Sequence, residues 1–274
     1  MSDSDKSIYG RKVFFVNANV TFETQVISRL RLMEFEVYGI DDYRKTKAIL
    51  RKNPDSICFI IMESQLSIKG WHNFIKSFES ENVFSPLDIG VITLPLAQEK
   101  LDNFKAGLQL DAGIFINDSD LESLLHKIVI QLDTLQAKGL RKYVRANCLN
   151  EKQADCLWVR DNRMFRLKVI DISSVGIAAK LSPGQANAVH INQIITDVTL
   201  SLKSEAIPVD IKITAIKTAG DFLLVVIMFE TSTLPDSINR VRKYIADNLE
   251  ENMRANFRSM DMDRVDYEKT EFHS

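Results

Sequence analysis

The chain has 274 residues, enough for two domains of ordinary size that each bury a core of their own. A composition of 45% hydrophobic and 26% charged residues, with 10 Gly and 6 Pro, excludes collagen-like, mucin-like and wholly disordered classes. Thirty-five Lys plus Arg against 37 Asp plus Glu leave a formal charge of -2, so no global positive field draws the molecule to nucleic acid or anionic lipid, and any anion site must be local.

Met1 to Gly10 is polar and lacks the apolar core of a signal peptide, and the longest apolar run, Phe222 to Phe229, falls far short of the ~20 residues of a spanning helix. A cytoplasmic protein without membrane insertion is expected. From Arg11 to about Leu135, short apolar runs alternate with amphipathic segments, as in a mostly parallel α/β sheet. Strands are expected at Lys12 to Val16, Glu36 to Ile40, Ile57 to Met62, Ile89 to Leu94 and Gly113 to Ile116, with helices between them. A further helix, capped near Asp118 or Ser119, carries Leu121, Leu125, Ile128, Leu132 and Leu135 at heptad-like spacing. That stripe suits packing on its own sheet and leaves a homodimer open. Gly139 is placed to end this helix.

Beyond Leu140 the pattern is all-β. Val198, Leu200 and Leu202 alternate with polar residues, as do Val209, Ile211 and Ile213, the period of half-buried antiparallel strands. Ala219 to Asp221 supply a turn before the apolar strand Phe222 to Phe229. Six or so strands in about 90 residues imply a closed barrel or a sandwich. A last helix starts near Pro235 and bears Ile238, Val241, Ile245, Leu249, Met253 and Phe257. The expected organisation is an α/β domain over 1–137, an antiparallel barrel with its helix over 138–260, and a flexible tail over 261–274.

Cys58, Cys148 and Cys156 are odd in number and widely spaced, and His72, His126, His190 and His273 show no zinc spacing with them. Reduced, buried or half-buried thiols are expected, with no metal and no cofactor. No GxSxG, GxGxxG or GxxxxGK[S/T] occurs, and no acid pair is singled out for catalysis, so no enzyme is expected.

Two motifs carry chemistry. At the domain junction stands Arg141-Lys142-Tyr143-Val144-Arg145, and further on comes Asp171-Ile172-Ser173-Ser174-Val175-Gly176. Guanidinium groups bind phosphate oxygens bidentately, grip guanine O6 and N7, and stack on purine faces. On a strand, Asp171 and Ser173 project from one face, where a carboxylate accepts from guanine N1 and N2 and a hydroxyl completes the contact. Gly176 lets the backbone turn or approach closely. Solvated linker arginines and an ordinary β-turn would account for the same residues.

Taken together, RxxxR followed by DxSxxG in an all-β context resembles the PilZ family of cyclic di-GMP receptors, over roughly Leu140 to Tyr244. The resemblance implies a six-stranded barrel that binds cyclic di-GMP without chemistry, using Arg141, Arg145, Asp171, Ser173 and Gly176. Motility or biofilm control and an unidentified protein partner are also implied. Leu140 stands where some members carry a further basic residue, which favours one ligand per protomer. The N-terminal alternation looks like a receiver domain, but Asn17 and Asn19 replace the magnesium-binding acids, and the third strand ends in Met62-Glu63 without the phosphate-accepting aspartate. A silent receiver-like domain is expected. The alternatives are an adapter whose barrel binds no nucleotide and a nucleic-acid-binding barrel; charge and sparse aromatics disfavour the latter.

Overall fold

The computed structural model describes residues 10–118, 120–257 and 260–270. The polar start of the chain, Ser119 as a helix cap, and His273 lie outside the described residues. Two compact units are present, one built from 1–142 and 252–274, the other from 143–251.

In the first unit β1 (Lys12–Val16), β2 (Val37–Ile40), β3 (Ser56–Ile61), β4 (Asp88–Thr93) and β5 (Gly113–Ile116) form an all-parallel sheet in the order β2-β1-β3-β4-β5. All six residues of β3 are buried, as expected of a central parallel strand covered on both faces. Five helical stretches accompany the strands: α1, an interrupted helix of Val20–Phe22, a π turn Glu23–Ile27 and Ser28–Leu32; α2 (Thr46–Arg51); α3 (Ile68–Glu79); α4 (Gln98–Lys105); and α5 (Leu121–Thr134).

Each helix start has a local cause. Asn19, Ser67 and Asp120 accept backbone N–H groups of Phe22, Gly70 and Ser123 and so cap α1, α3 and α5. Leu124, Leu125, Ile128 and Leu132 of α5 enter the core with Phe15, Phe59 and Phe115, so the heptad-like stripe packs on its own sheet. The helix ends at Thr134 with Leu135 as its cap; Gly139, at φ 59°, lies in the turn beyond it.

The second unit holds β6 (Arg145–Asn147), β7 (Ala154–Arg160), β8 (Arg163–Ser173), β9 (Gly176–Leu181), β10 (Ile194–Leu202), β11 (Glu205–Ala219) and β12 (Phe222–Phe229). Six strands close a barrel in the order β8-β7-β10-β11-β12-β9, with β9 returning to β8. The first half of β8 pairs with β7; its last residues, Asp171 to Ser173, pair with the short β6. Alternate residues fill the interior, among them Leu167, Val169, Val198, Leu200, Val209, Ile211, Val225 and Ile227. Val241, Tyr244 and Ile245 of α6 (Pro235–Phe257) join this core. All three cysteines are free and buried; burial raises the Cys58 thiol far above its ordinary value and takes Cys156 to about 12.

Residues 261–270, expected as part of a flexible tail, carry packing contacts and hydrogen bonds in this structure. Tyr267 is 1% exposed and meets Phe74 edge-on at 5.1 Å between ring centroids. Asn73 Nδ2 donates to the Tyr267 carbonyl at 2.9 Å, and both the backbone N–H and the hydroxyl of Ser67 donate to Glu268 at 2.6 Å. One aromatic anchor and a few hydrogen bonds hold a segment whose composition is otherwise that of a solvated end.

Candidate ligand-binding site

The register of β6 on β8 builds the site. Arg145 lies opposite Ser173, Ala146 opposite Ile172 and Asn147 opposite Asp171. Arg145 Nη1 comes within 3.9 Å of Asp171 Oδ1, with the two side chains 52% and 33% exposed. A guanidinium and a carboxylate thus stand side by side with hydrogen-bonding capacity to spare, and a pair this open is weakly held. It offers donors for phosphate or guanine O6 and N7 next to an acceptor for guanine N1 and N2.

The turn from β8 to β9 is tight. Ser173, 7% exposed, donates its hydroxyl to the Gly176 carbonyl at 3.2 Å, so in this structure the hydroxyl fixes the turn. Gly176 has a packing reason: a Cβ there would stand 2.2 Å from the Ile227 carbonyl oxygen on β12. The close approach of two backbones, and not a left-handed turn, excludes a side chain. Ser174, which sequence reasoning passed over, is 3% exposed with its Oγ buried and unpaired. No signal in the sequence separates it from any turn serine.

Arg145, Asp171, Ser173 and Gly176 are therefore gathered at one corner of the barrel. Arg141 belongs to the other unit, in the irregular stretch just before the chain crosses. Among the described residues no group of three or more His, Cys, Asp or Glu side chains could hold a metal ion, and no helix is long and apolar enough to cross a membrane.

In the N-terminal unit a cleft of about 390 Å³ opens at the carboxyl ends of the strands, lined by Asn19, Phe22, Met62, Glu63, Thr93 and Asn117 among others. The amides that end β1 have structural duties. Asn17 takes φ 61°, a conformation Asn tolerates better than most residues, and donates Nδ2 to the Ile61 carbonyl; Asn19 caps α1. Trp71 Nε1 donates to the Glu63 carbonyl at 2.9 Å, and the Thr93 hydroxyl donates to the Leu94 carbonyl.

No family model matches the sequence, and no curated protein does. Solved structures show local likeness. MrkH of K. pneumonia in complex with c-di-GMP is 17% identical over 42% of this chain and 55% of its own, with a TM-score of 0.38. The PilZ domain of YcgR from Escherichia coli with c-di-GMP is 15% identical over 43% of this chain and 98% of its own, at 0.36. Vibrio cholerae chemotaxis protein CheY4 is 22% identical over 44% of this chain and 98% of its own, at 0.35. The chain thus spans about half the length of MrkH. Strand order and register, not these scores, define the architecture: a five-stranded all-parallel α/β domain and a closed six-stranded antiparallel barrel with a C-terminal helix.

Proposed function

We propose that the protein is a non-catalytic effector that binds cyclic di-GMP at the β6–β8 corner of the barrel. The observation that carries this reading is the half-exposed Arg145–Asp171 pair beside the β8–β9 turn. Arg145 takes a phosphate or a guanine Hoogsteen edge, Asp171 accepts from a guanine, and Arg141 supplies a second guanidinium from the preceding segment. Arg141 precedes and Arg145 follows the crossing between the two units, so a ligand held by both restrains that segment. Such restraint is a route from messenger binding to altered domain arrangement and protein contacts, with motility or biofilm control as the output that the motif resemblance implies.

Calorimetry on the full chain tests the reading. Cyclic di-GMP should bind at one per protomer, and Arg145→Ala and Arg141→Ala should each weaken it by about 30-fold, the loss of a charge-assisted contact worth roughly 2 kcal/mol. Arg166→Ala, which removes a pair between β8 and Asp155 of β7, should leave it unchanged. Parent-like binding by a folded Arg145→Ala variant sinks the site. No binding at all by the parent supports the adapter reading instead, and tighter binding of a single-stranded oligonucleotide supports a nucleic-acid role.

A further inference from the structure

The barrel is not zipped along its whole length. Strands β7 and β10 pair from Leu202–Ala154 to Thr199–Leu157 and no further, although both strands continue. The cause is local: the β10 register on β11 shifts between Ile195 and Val198, and Asp197, at φ 57°, turns its N–H to the Asp210 carboxylate. Across the gap, β7 runs on to a two-residue turn, Asp161-Asn162, with φ 51° and 58°. Arg160 and Arg163 flank that turn as its hydrogen-bonded pair, so by alternation Val159 and Met164 form a non-hydrogen-bonded pair. The N–H and C=O of Val159 therefore point away from β8 into the gap.

That gap is a cleft of about 570 Å³, lined by Leu157, Trp158, Val159, Met164, Ile194 and Asp197 among others. Two further features ask for an occupant. Trp158, 3% exposed, has its indole Nε1 buried with no acceptor. Val159 and Met164 on one side of the gap and Ile194 on the other are 67%, 70% and 58% exposed, large apolar side chains left to water.

We infer that this cleft docks an extended acidic segment of a partner protein, which adds as a strand beside Val159. A strand supplies the backbone carbonyl and N–H that the Val159 edge lacks and brings a further carbonyl toward Trp158 Nε1. Its alternate apolar side chains cover Val159, Met164 and Ile194. The hairpin tip carries Arg160 and Arg163 against Asp161, with Asp197 on the β10 wall away from the tip, so it is the end of the segment nearest the tip that is acidic. The surface lies at the opposite end of β8 from Asp171, about 25 Å away at the rise of a strand, and is independent of the proposed ligand site.

The test uses the full chain and three dye-labelled heptapeptides of alternating Val and Thr: one flanked by Asp and Glu, one flanked by Lys, and an acidic copy N-methylated on alternate residues. Anisotropy should show saturable 1:1 binding of the acidic peptide, at least tenfold weaker for the Lys-flanked and the N-methylated peptides. Hydrogen exchange at Val159 should slow on binding. Met164→Lys and Ile194→Lys, both at exposed positions, should weaken binding tenfold or more, and Arg145→Ala should not. Lack of saturation up to about 1 mM overturns the inference, as does equal binding of the N-methylated copy. Concentration-dependent dimerisation abolished by Met164→Lys would overturn it in favour of a second copy of this chain.

Discussion

At the scale of single residues, the two motifs divide into open and fold-building members. Arg145 and Asp171 stay half exposed, whereas Ser173 and Gly176 are committed to the β8–β9 turn and to its contact with β12. Gly176→Ala forces a methyl into the Ile227 carbonyl, a backbone atom that cannot swing aside. It should cost about 3 kcal/mol in urea unfolding, at the upper end of overpacking; a loss below roughly 1 kcal/mol would contradict the close approach. The motif gave residue types and spacing but not which way the side chains face. Side-chain alternation places Asp171 and Ser173 on one face of a regular strand, and the register shift between Val169 and Asp171, invisible in the sequence, changes what surrounds them.

Among elements, legibility follows the apolar run and not burial. Strands β1, β5 and β12 match their expected limits to the residue, although β5 and β12 are largely half-buried, whereas the fully buried β3 starts and ends one residue earlier than expected. The first helix was readable as a stripe, yet its π turn was not, since a single extra residue in a turn leaves no compositional mark. The strand ends of the parallel sheet also explain the missing acids: the left-handed turn at Asn17 and the cap at Asn19 use amides as structural parts. Incubation with acetyl phosphate and magnesium should therefore leave no acid-labile phosphate on the N-terminal unit. Phosphorylation at Glu63 would show that the cleft keeps a phosphotransfer role.

For the molecule as a whole, the chain passes between its two units twice, once after Lys142 and once within α6, so the barrel is an insertion in the chain of the N-terminal unit. The returning segment is anchored by Tyr267, and Tyr267→Ala should cost about 3 to 4 kcal/mol, the usual cost of emptying a buried aromatic site. Trp71, which packs edge-on against Phe74, reports the loss by fluorescence in a Trp158→Phe background. An unchanged midpoint would mean that the segment only decorates the surface. Hydrogen bonds from Arg51 hold the Glu81 carboxyl below its usual range, and those from Ser67 do the same for Glu268. A carboxylate depressed in the folded state contributes stability that is complete above the unfolded value, near 4.3, and is lost as pH falls through the lower folded value. Protection factors across 263–270, after division by the intrinsic pH-dependent exchange rate, should therefore be flat from about pH 5 to 8 and fall below about pH 4. Vectorial synthesis gives the same anchor another meaning. A ribosome delivers the whole sheet and then the whole barrel before it delivers Tyr267, so the aromatic surface around Phe74 waits uncovered through most of translation. The N-terminal unit is the first to begin folding and the last to finish, and any factor that shields nascent apolar surface has that interval in which to act.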